Sequence, residues 1–340
     1  MSLFRNASGI RKGFNYQDMV ALYYFLDNIK EIKEIKNEGE DDVDIVFNDG
    51  SLGFLQAKET KNIDTTLKVG ILRKALIALF DDCVAHKNIK LLEIITNSNY
   101  PFSKKDISFL QPYGKFIFKD LKANSQQKIN KQIENICKSE KKYNKEDFDT
   151  DKLAITKISY EGSDDRSKLQ ELKNIIYEFI SDAEISPSYY KRLLHSWSFL
   201  FYRNSDEPKN RISKKKFIDY TELTVMDAPD LDEFIRKFDV KAGNIDYIKE
   251  NYEDYLEKAI LDYSLITIVE SDFDKFSLKN RDKVEADNIV QFVNEESSII
   301  FEKIGLNNQD DLDIAKIIVW LIVIRRRFLN NIERASINEN

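Results

Sequence analysis

Cysteine, histidine, proline and glycine are all scarce in this 340-residue chain, and each scarcity excludes something. Two cysteines, Cys83 and Cys137, cannot build a disulfide framework or a thiolate metal site, and they fit a reducing cytoplasm. Five prolines and ten glycines, with no low-complexity tract, leave no long disordered linker, and no glycine-rich phosphate loop or nucleophile elbow occurs. The two histidines, His86 and His195, lie far apart, and His195 in "RLLHSWSFLF" reads as a packed helix residue. Excess positive charge is also missing. Lys and Arg number 52 against 59 Asp and Glu, a formal charge of −7, so any polyanion site must be local. The start, "MSLFRNASGIRKG", has no apolar core, which argues against a signal peptide. The longest apolar run, "IIVWLIVI" (Ile317 to Ile324), is too short for a bilayer. It reads as a helix buried on most sides, with a partner interface as the competing reading and a membrane-surface anchor behind both.

What is present suffices for two domains, since the chain is 42% hydrophobic and long enough to bury a large core. "NYQDMVALYYFLDNIKEI" (Asn15 to Ile32) carries helical spacing, as does Thr66 to His86. "KLLEIITNS" (Lys90 to Ser98), "KFIFKDL" (Lys115 to Leu121) and "KLAITKISY" (Lys152 to Tyr160) read as strands, with the helix "QQKINKQIENICKSEKKYNK" between the last two. Polar "EGSDDRSK" (Glu161 to Lys168) marks a break, after which the periodicity is almost wholly helical. The expected architecture is therefore an α/β domain over 1–162 with a mixed sheet flanked by helices, and an all-α domain over 163–340.

The hairpin "DDVDIVFNDGSLGFLQAKET" (Asp41 to Thr60) holds acids where a strand normally avoids them. A two-residue Asp49-Gly50 loop would set acids opposite leucine. A three-residue loop with glycine in the left-handed position restores agreement of the apolar sets, pairing 45 with 55 and 44 with 56. Asp42, Asp44, Gln56 and Lys58 then converge on one face, and Glu40, of the same parity, is a candidate further carboxylate ligand for a metal. A carboxylate and an amide oxygen can hold Mg²⁺ through a few direct contacts plus water and substrate phosphate. A lysine beside them can stabilise charge developing on a phosphodiester. The competing reading is a solvated face with a cross-strand salt bridge.

An acidic residue on one strand followed about a dozen residues later by Gln-x-Lys resembles the PD-(D/E)XK nuclease core in its Gln-x-Lys form, also found in Mrr-like restriction enzymes. With "GFNYQDMVALYYFL" upstream and "LLEIITNSN" downstream, residues 10 to 160 resemble the double-stranded-DNA endonuclease domain of bacterial anti-phage effectors, including CBASS and Lamassu. The resemblance implies a restriction-endonuclease-like fold and a Mg²⁺ cofactor, with Mn²⁺ as a substitute. It implies Asp44 as metal ligand, Gln56 as second metal or water contact and Lys58 as catalytic lysine, with Asp42 competing with Asp44. Gln17 is either beside the site or packing between helix and hairpin. Gln56 departs from the commoner glutamate, which weakens the intrinsic metal site.

The helical half carries no recognisable motif, and regulation, oligomerisation or docking is its expected role. By analogy the chain is a nuclease subunit of a Lamassu-like complex with an SMC-like ATPase, silent until it is assembled or released, and forming a homo-oligomer on activation. No membrane association is expected. A catalytically inactive scaffold and an RNA-directed nuclease are the alternatives. Lys209, Arg211, Lys214, Lys215 and Lys216 form a basic cluster that either contacts DNA phosphates or is a solvated loop.

Overall fold

A computed structural model describes residues 16–37, 39, 42–59, 69–97, 113–158, 170–205, 210–225, 231–238, 240, 243–248, 250–251, 265–303 and 311–337. They fall into two compact units. One holds the described residues up to Phe179 together with Trp197–Lys214, and the other holds Ile180–Ser196 with the described residues from Lys215 onward. The first unit therefore reaches beyond residue 162, where the sequence places the boundary.

The first unit is built on a mixed seven-stranded sheet. Helix α1 (Tyr16–Asp27) is followed by β1 (Ile32–Asn37), β2 (Val43–Phe47), β3 (Leu52–Lys58), α2 (Val69–Ala85), β4 (Ile89–Thr96), β5 (Tyr113–Ile117), α3 (Ala123–Ser139) and β6 (Leu153–Ile158). Next come α4 (Gln170–Asp182), α5 (Tyr190–Ser205) and the two-residue β7 (Ile212–Ser213). The strand order is β5-β6-β4-β3-β2-β1-β7, with β3, β4 and β6 parallel and every other neighbour antiparallel.

One side of the sheet is sealed by α2 and α3, whose Leu72, Leu76, Leu79, Phe80, Ile129, Ile133 and Ile136 pack with Phe54, Leu92, Ile94, Leu153 and Ile155. Helix α1 serves the strand residues of opposite parity. All of its residues but Gln17 and Asp27 are buried, so its apolar surface runs right round, as befits an interior helix. Phe25 meets Phe201 of α5 edge to face at 6.1 Å. Beneath α1 a polar network is enclosed. Glu93 of β4 pairs with Lys115 at 3.0 Å and accepts a hydrogen bond from Thr156. Lys115 also donates to the Tyr24 hydroxyl, whose pKa burial raises well above the ordinary tyrosine value, helped by the Glu93 charge.

Three elements differ from the sequence reading. The first helix stops at Asp27, and Ile32 begins a strand. Ile29, Ile32 and Ile35 keep a three-residue spacing that imitates a helix; a β-bulge between Ile32 and Glu34 is what lets Ile32 and Ile35 share a face within β1. "KFIFKDL" is a strand only to Ile117, after which Phe118–Asp120 form a 3₁₀ turn. In the hairpin, 44 pairs with 54 and 45 with 53, not with 56 and 55. The loop does have three residues, Asn48 to Gly50, with Gly50 at φ 78°. It closes one step earlier because Asp49 accepts from both the backbone and the hydroxyl of Ser51, while Phe47 N donates to Ser51 O at 2.9 Å. The shift moves each partner by two residues, so the facing of every side chain is preserved.

The second unit is helical among its described residues: the N-terminal part of α5, then α6 (Lys214–Val225), α7 (Leu231–Phe238), α8 (Leu265–Lys279), α9 (Glu285–Lys303) and α10 (Leu312–Ala335). "IIVWLIVI" lies in α10 and is interior: Ile317 to Val323 are all buried, and only Ile324 is exposed. Trp320 packs tilted against Phe234 and edge to face against Phe238. Its apolarity therefore serves this unit's own core, and the interface reading of the segment falls. No described helix is long and apolar enough to cross a membrane.

Candidate active site

Strand register places side chains in rows across the face sealed by α2 and α3. Phe54, Leu92 and Leu153 form one row, and Gln56, Ile94 and Ile155 the next. The last, at the carboxyl ends of the parallel strands, is Lys58, Thr96 and Lys157. Asp44 joins the Phe54 row from β2, and Lys36 of β1 stands directly opposite Asp44. The face is thus apolar at one end and polar at the other. Lys36, Asp44, Gln56, Thr96 and Lys157 are all at most 5% exposed.

At the open edge of this patch Asp42 is the hub. Its Oδ2 accepts from Lys58 Nζ at 2.6 Å and from the Ala57 backbone N at 2.8 Å, while Oδ1 accepts from Gln17 Nε2 at 2.9 Å. Both oxygens are engaged by three donors, two of them from the Gln-x-Lys segment itself. Lys58 and Asp42 keep side-chain exposures of 21% and 17%, so this pair is the most accessible part of the patch. The Lys58 carbonyl accepts from Thr96 Oγ1 at 2.8 Å, which ties the end of β3 to β4.

Asp44 sits deeper. A Cβ added at Gly39 would collide with the Asp44 carboxylate, so the carboxylate rests against bare backbone that any other residue would obstruct. Among the described residues no group of three or more His, Cys, Asp and Glu could cage a metal. Asp44 with Gln56, diagonal neighbours across β2 and β3, offers one carboxylate and one amide oxygen. That set suits Mg²⁺, which accepts one or two protein oxygens and fills its remaining positions with water and phosphate. Glu40, the further ligand expected from parity, lies outside the described residues.

The geometry places Gln17 at the site, with its amide on Asp42. In the basic cluster, Lys209 is outside the described residues. Arg211 pairs with Glu34 at 3.5 Å, and Lys214 donates to the Lys30 carbonyl at 3.1 Å, with its pKa lowered by burial. Lys215 bonds Thr267, and Lys216 is also engaged. His86 stacks on Phe54 at 5.1 Å, and half-buried His195 lies in α5. Three residues of the patch escaped the sequence reading: Lys36, Thr96 and Lys157. The parity that joins Gln56 to Lys58 would have found the last two, once the parallel order of β3, β4 and β6 was known.

Residues 8–180 match the family model described as Cap4, dsDNA endonuclease domain. No curated protein matches the chain. Among solved structures, a Cap4 SAVED/CARF-domain containing receptor from Acinetobacter baumannii, with the cyclic trinucleotide 2'3'3'-cAAA, is 17% identical over 61% of this chain and 44% of its own, with a TM-score of 0.35. The receptor of the same description from Moraxella osloensis is 16% identical over 64% of this chain and 50% of its own, with a TM-score of 0.36. The match thus spans half or less of those receptors' length.

Proposed function

The chain belongs to the Cap4 dsDNA endonuclease-domain family, which its model matches over just over half of the sequence, and from that premise we propose that it is a Mg²⁺-dependent DNA endonuclease of anti-phage defence. The observation that carries the reading is the Gln-x-Lys strand held against Asp42, with Asp44 and Gln56 on the same face. In this reading the sheet is the PD-(D/E)XK core. Asp44 and Gln56 would hold the metal, which when bound would acidify a coordinated water and neutralise phosphate charge. Lys58 carries a positive charge next to the scissile phosphate and stabilises the negative charge that develops there. Asp42 is a positioning residue, because its oxygens already fix Lys58 Nζ and the backbone between Gln56 and Lys58; Gln17 steadies Asp42 in turn.

Burial of Asp44 and Gln56 supports a silent resting state, since duplex DNA reaches them only after the patch opens. The net charge of −7 weakens capture of DNA by a lone chain. Opening on assembly, in a Lamassu-like complex with an SMC-like ATPase or in a homo-oligomer, is the control we put forward, with the helical unit as the docking part. Cleavage of duplex DNA and of RNA, measured across a protein concentration series alongside light scattering, tests it. Duplex cutting that rises more steeply than protein concentration is expected. RNA cutting alone, or full duplex cleavage by a dilute monomer, would contradict it.

The close approach at Gly39 gives a sharper expectation. Gly39→Ala should displace the Asp44 carboxylate and lower cleavage on the order of a hundredfold, as misplacements near 1 Å do. Thermal melting should change little beside that loss. Wild-type cleavage by the alanine variant would show that Asp44 does not work from this position.

A further inference from the structure

Lys36 is a buried cation of the patch to which the nuclease reading above gives no role. Lys36 and Asp44 are direct partners across the antiparallel β1–β2 pair. Side chains at directly opposed positions share a face with Cβ atoms about 5 Å apart, within easy reach of a lysine's ammonium. Both are closed off from water, Lys36 at 5% exposure and Asp44 at 4%. Elsewhere in β1 the rule is different, since Lys33 is exposed. An enclosed ammonium is tolerated where a carboxylate meets it, and the carboxylate that register sets against Lys36 is that of Asp44. The next residue fixes where this lysine stands. Asn37, fully buried, donates from its backbone N to Asn204 Oδ1 of α5 at 3.3 Å and from its Nδ2 to Asp18 of α1. Asn204 in turn donates to the Asn210 carbonyl at 2.9 Å. Two residues beyond Asn37 the chain passes so close to Asp44 that a Cβ at Gly39 would strike its carboxylate. The end of β1 thus flanks Asp44 with a cation at Lys36 and with bare backbone at Gly39.

Resting on the assignment of Asp44 as metal ligand, we propose that Lys36 is the resident counter-ion of Asp44 and competes with the divalent cation for its carboxylate. An ammonium and a divalent ion cannot share one buried carboxylate without strong mutual repulsion. Lys36 therefore withdraws when Asp44 takes up metal, and the anchoring of Asn37 to α1 and α5 opposes that withdrawal. Without metal the patch stays stable, because Asp44 is not left as an uncompensated buried charge. The same arrangement makes metal loading weak until the patch opens, which ties metal uptake to the control put forward above.

The test is calorimetric titration of the full chain with Mg²⁺, without DNA, for the wild type, Lys36→Met, Lys36→Gln and Lys36→Arg, with the melting temperature of each alongside. One unit charge about 6 Å from a divalent ion opposes its binding by a factor of about ten even at the dielectric constant of water. Both neutral variants should therefore bind Mg²⁺ at least roughly tenfold more tightly than the wild type, whereas arginine should keep the wild-type affinity. Glutamine keeps a polar side chain at the position and covers the case in which methionine prevents folding. A purely structural lysine lowers the melting temperature when replaced and leaves Mg²⁺ affinity unchanged. That result, weaker binding in a folded neutral variant, or equal tightening by arginine overturns the proposal and leaves Asp44 as the ligand. Absence of Mg²⁺ binding by the wild type and by every folded variant removes the metal assignment, and this inference with it.

Discussion

Lys58→Ala is expected to lower duplex cleavage by roughly 10²- to 10³-fold, the cost of removing one preorganised group that stabilises transition-state charge. The fold should survive, because Lys58 is partly exposed and its pair with Asp42 lies at the edge of the patch, where an ion pair contributes little to stability. Asp44→Ala should lose as much activity by a different route. Calorimetric titration with Mg²⁺ separates them: binding persists in Lys58→Ala and disappears in Asp44→Ala. Asp42→Asn keeps the shape but weakens the hold on Lys58, so a smaller loss is expected, with metal binding unchanged. Equal metal loss in the Asp42 and Asp44 variants would move the metal to Asp42.

A second large effect concerns the helical unit. Asp219 and Glu222 of α6 are buried, and Glu270 of α8 faces them, with Glu333 of α10, Asp274 of α8 and Lys215 of α6 as the surrounding charges. Burial first, and like charge second for the two glutamates, push Glu222 up to about 10 and Glu270 to about 7; burial pushes Asp219 to about 7. These folded-state values lie above the unfolded ones of 3.8 and 4.5, so their contribution is fully present below about pH 4. It is lost as pH rises, through 7 for Asp219 and Glu270 and on toward 10 for Glu222. Glu222→Gln should therefore raise the melting temperature at pH 8 by roughly 5 °C and change it little at pH 5. A variant that melts lower at both values would show that the ionised carboxylate has a compensating partner.

The sequence carried the facing of the hairpin's side chains and less of the sheet. The turn composition and the alternation around Gly50 told the loop length and the facing of Asp42, Asp44, Gln56 and Lys58, because a strand's period of two is a strict constraint. Alternation cannot tell register in steps of two, and the Asp49 contacts to Ser51 that set it are a local preference without a pattern. Ile32 and Ile35 hid a strand behind helical spacing. Lys36, Thr96 and Lys157 join the patch only through pairing between strands distant in sequence. The apolar run in α10 was legible as buried, but its occupation of the helical unit's own core depends on Phe234 and Phe238.

The most direct measurement is the fate of supercoiled plasmid incubated with the full chain in Mg²⁺ or in EDTA, with Lys58→Ala alongside. Nicked and linear products from the wild type in Mg²⁺ alone, and almost none from the variant, are what the site predicts. Products that persist in EDTA, or that Lys58→Ala forms at the wild-type rate, would contradict it.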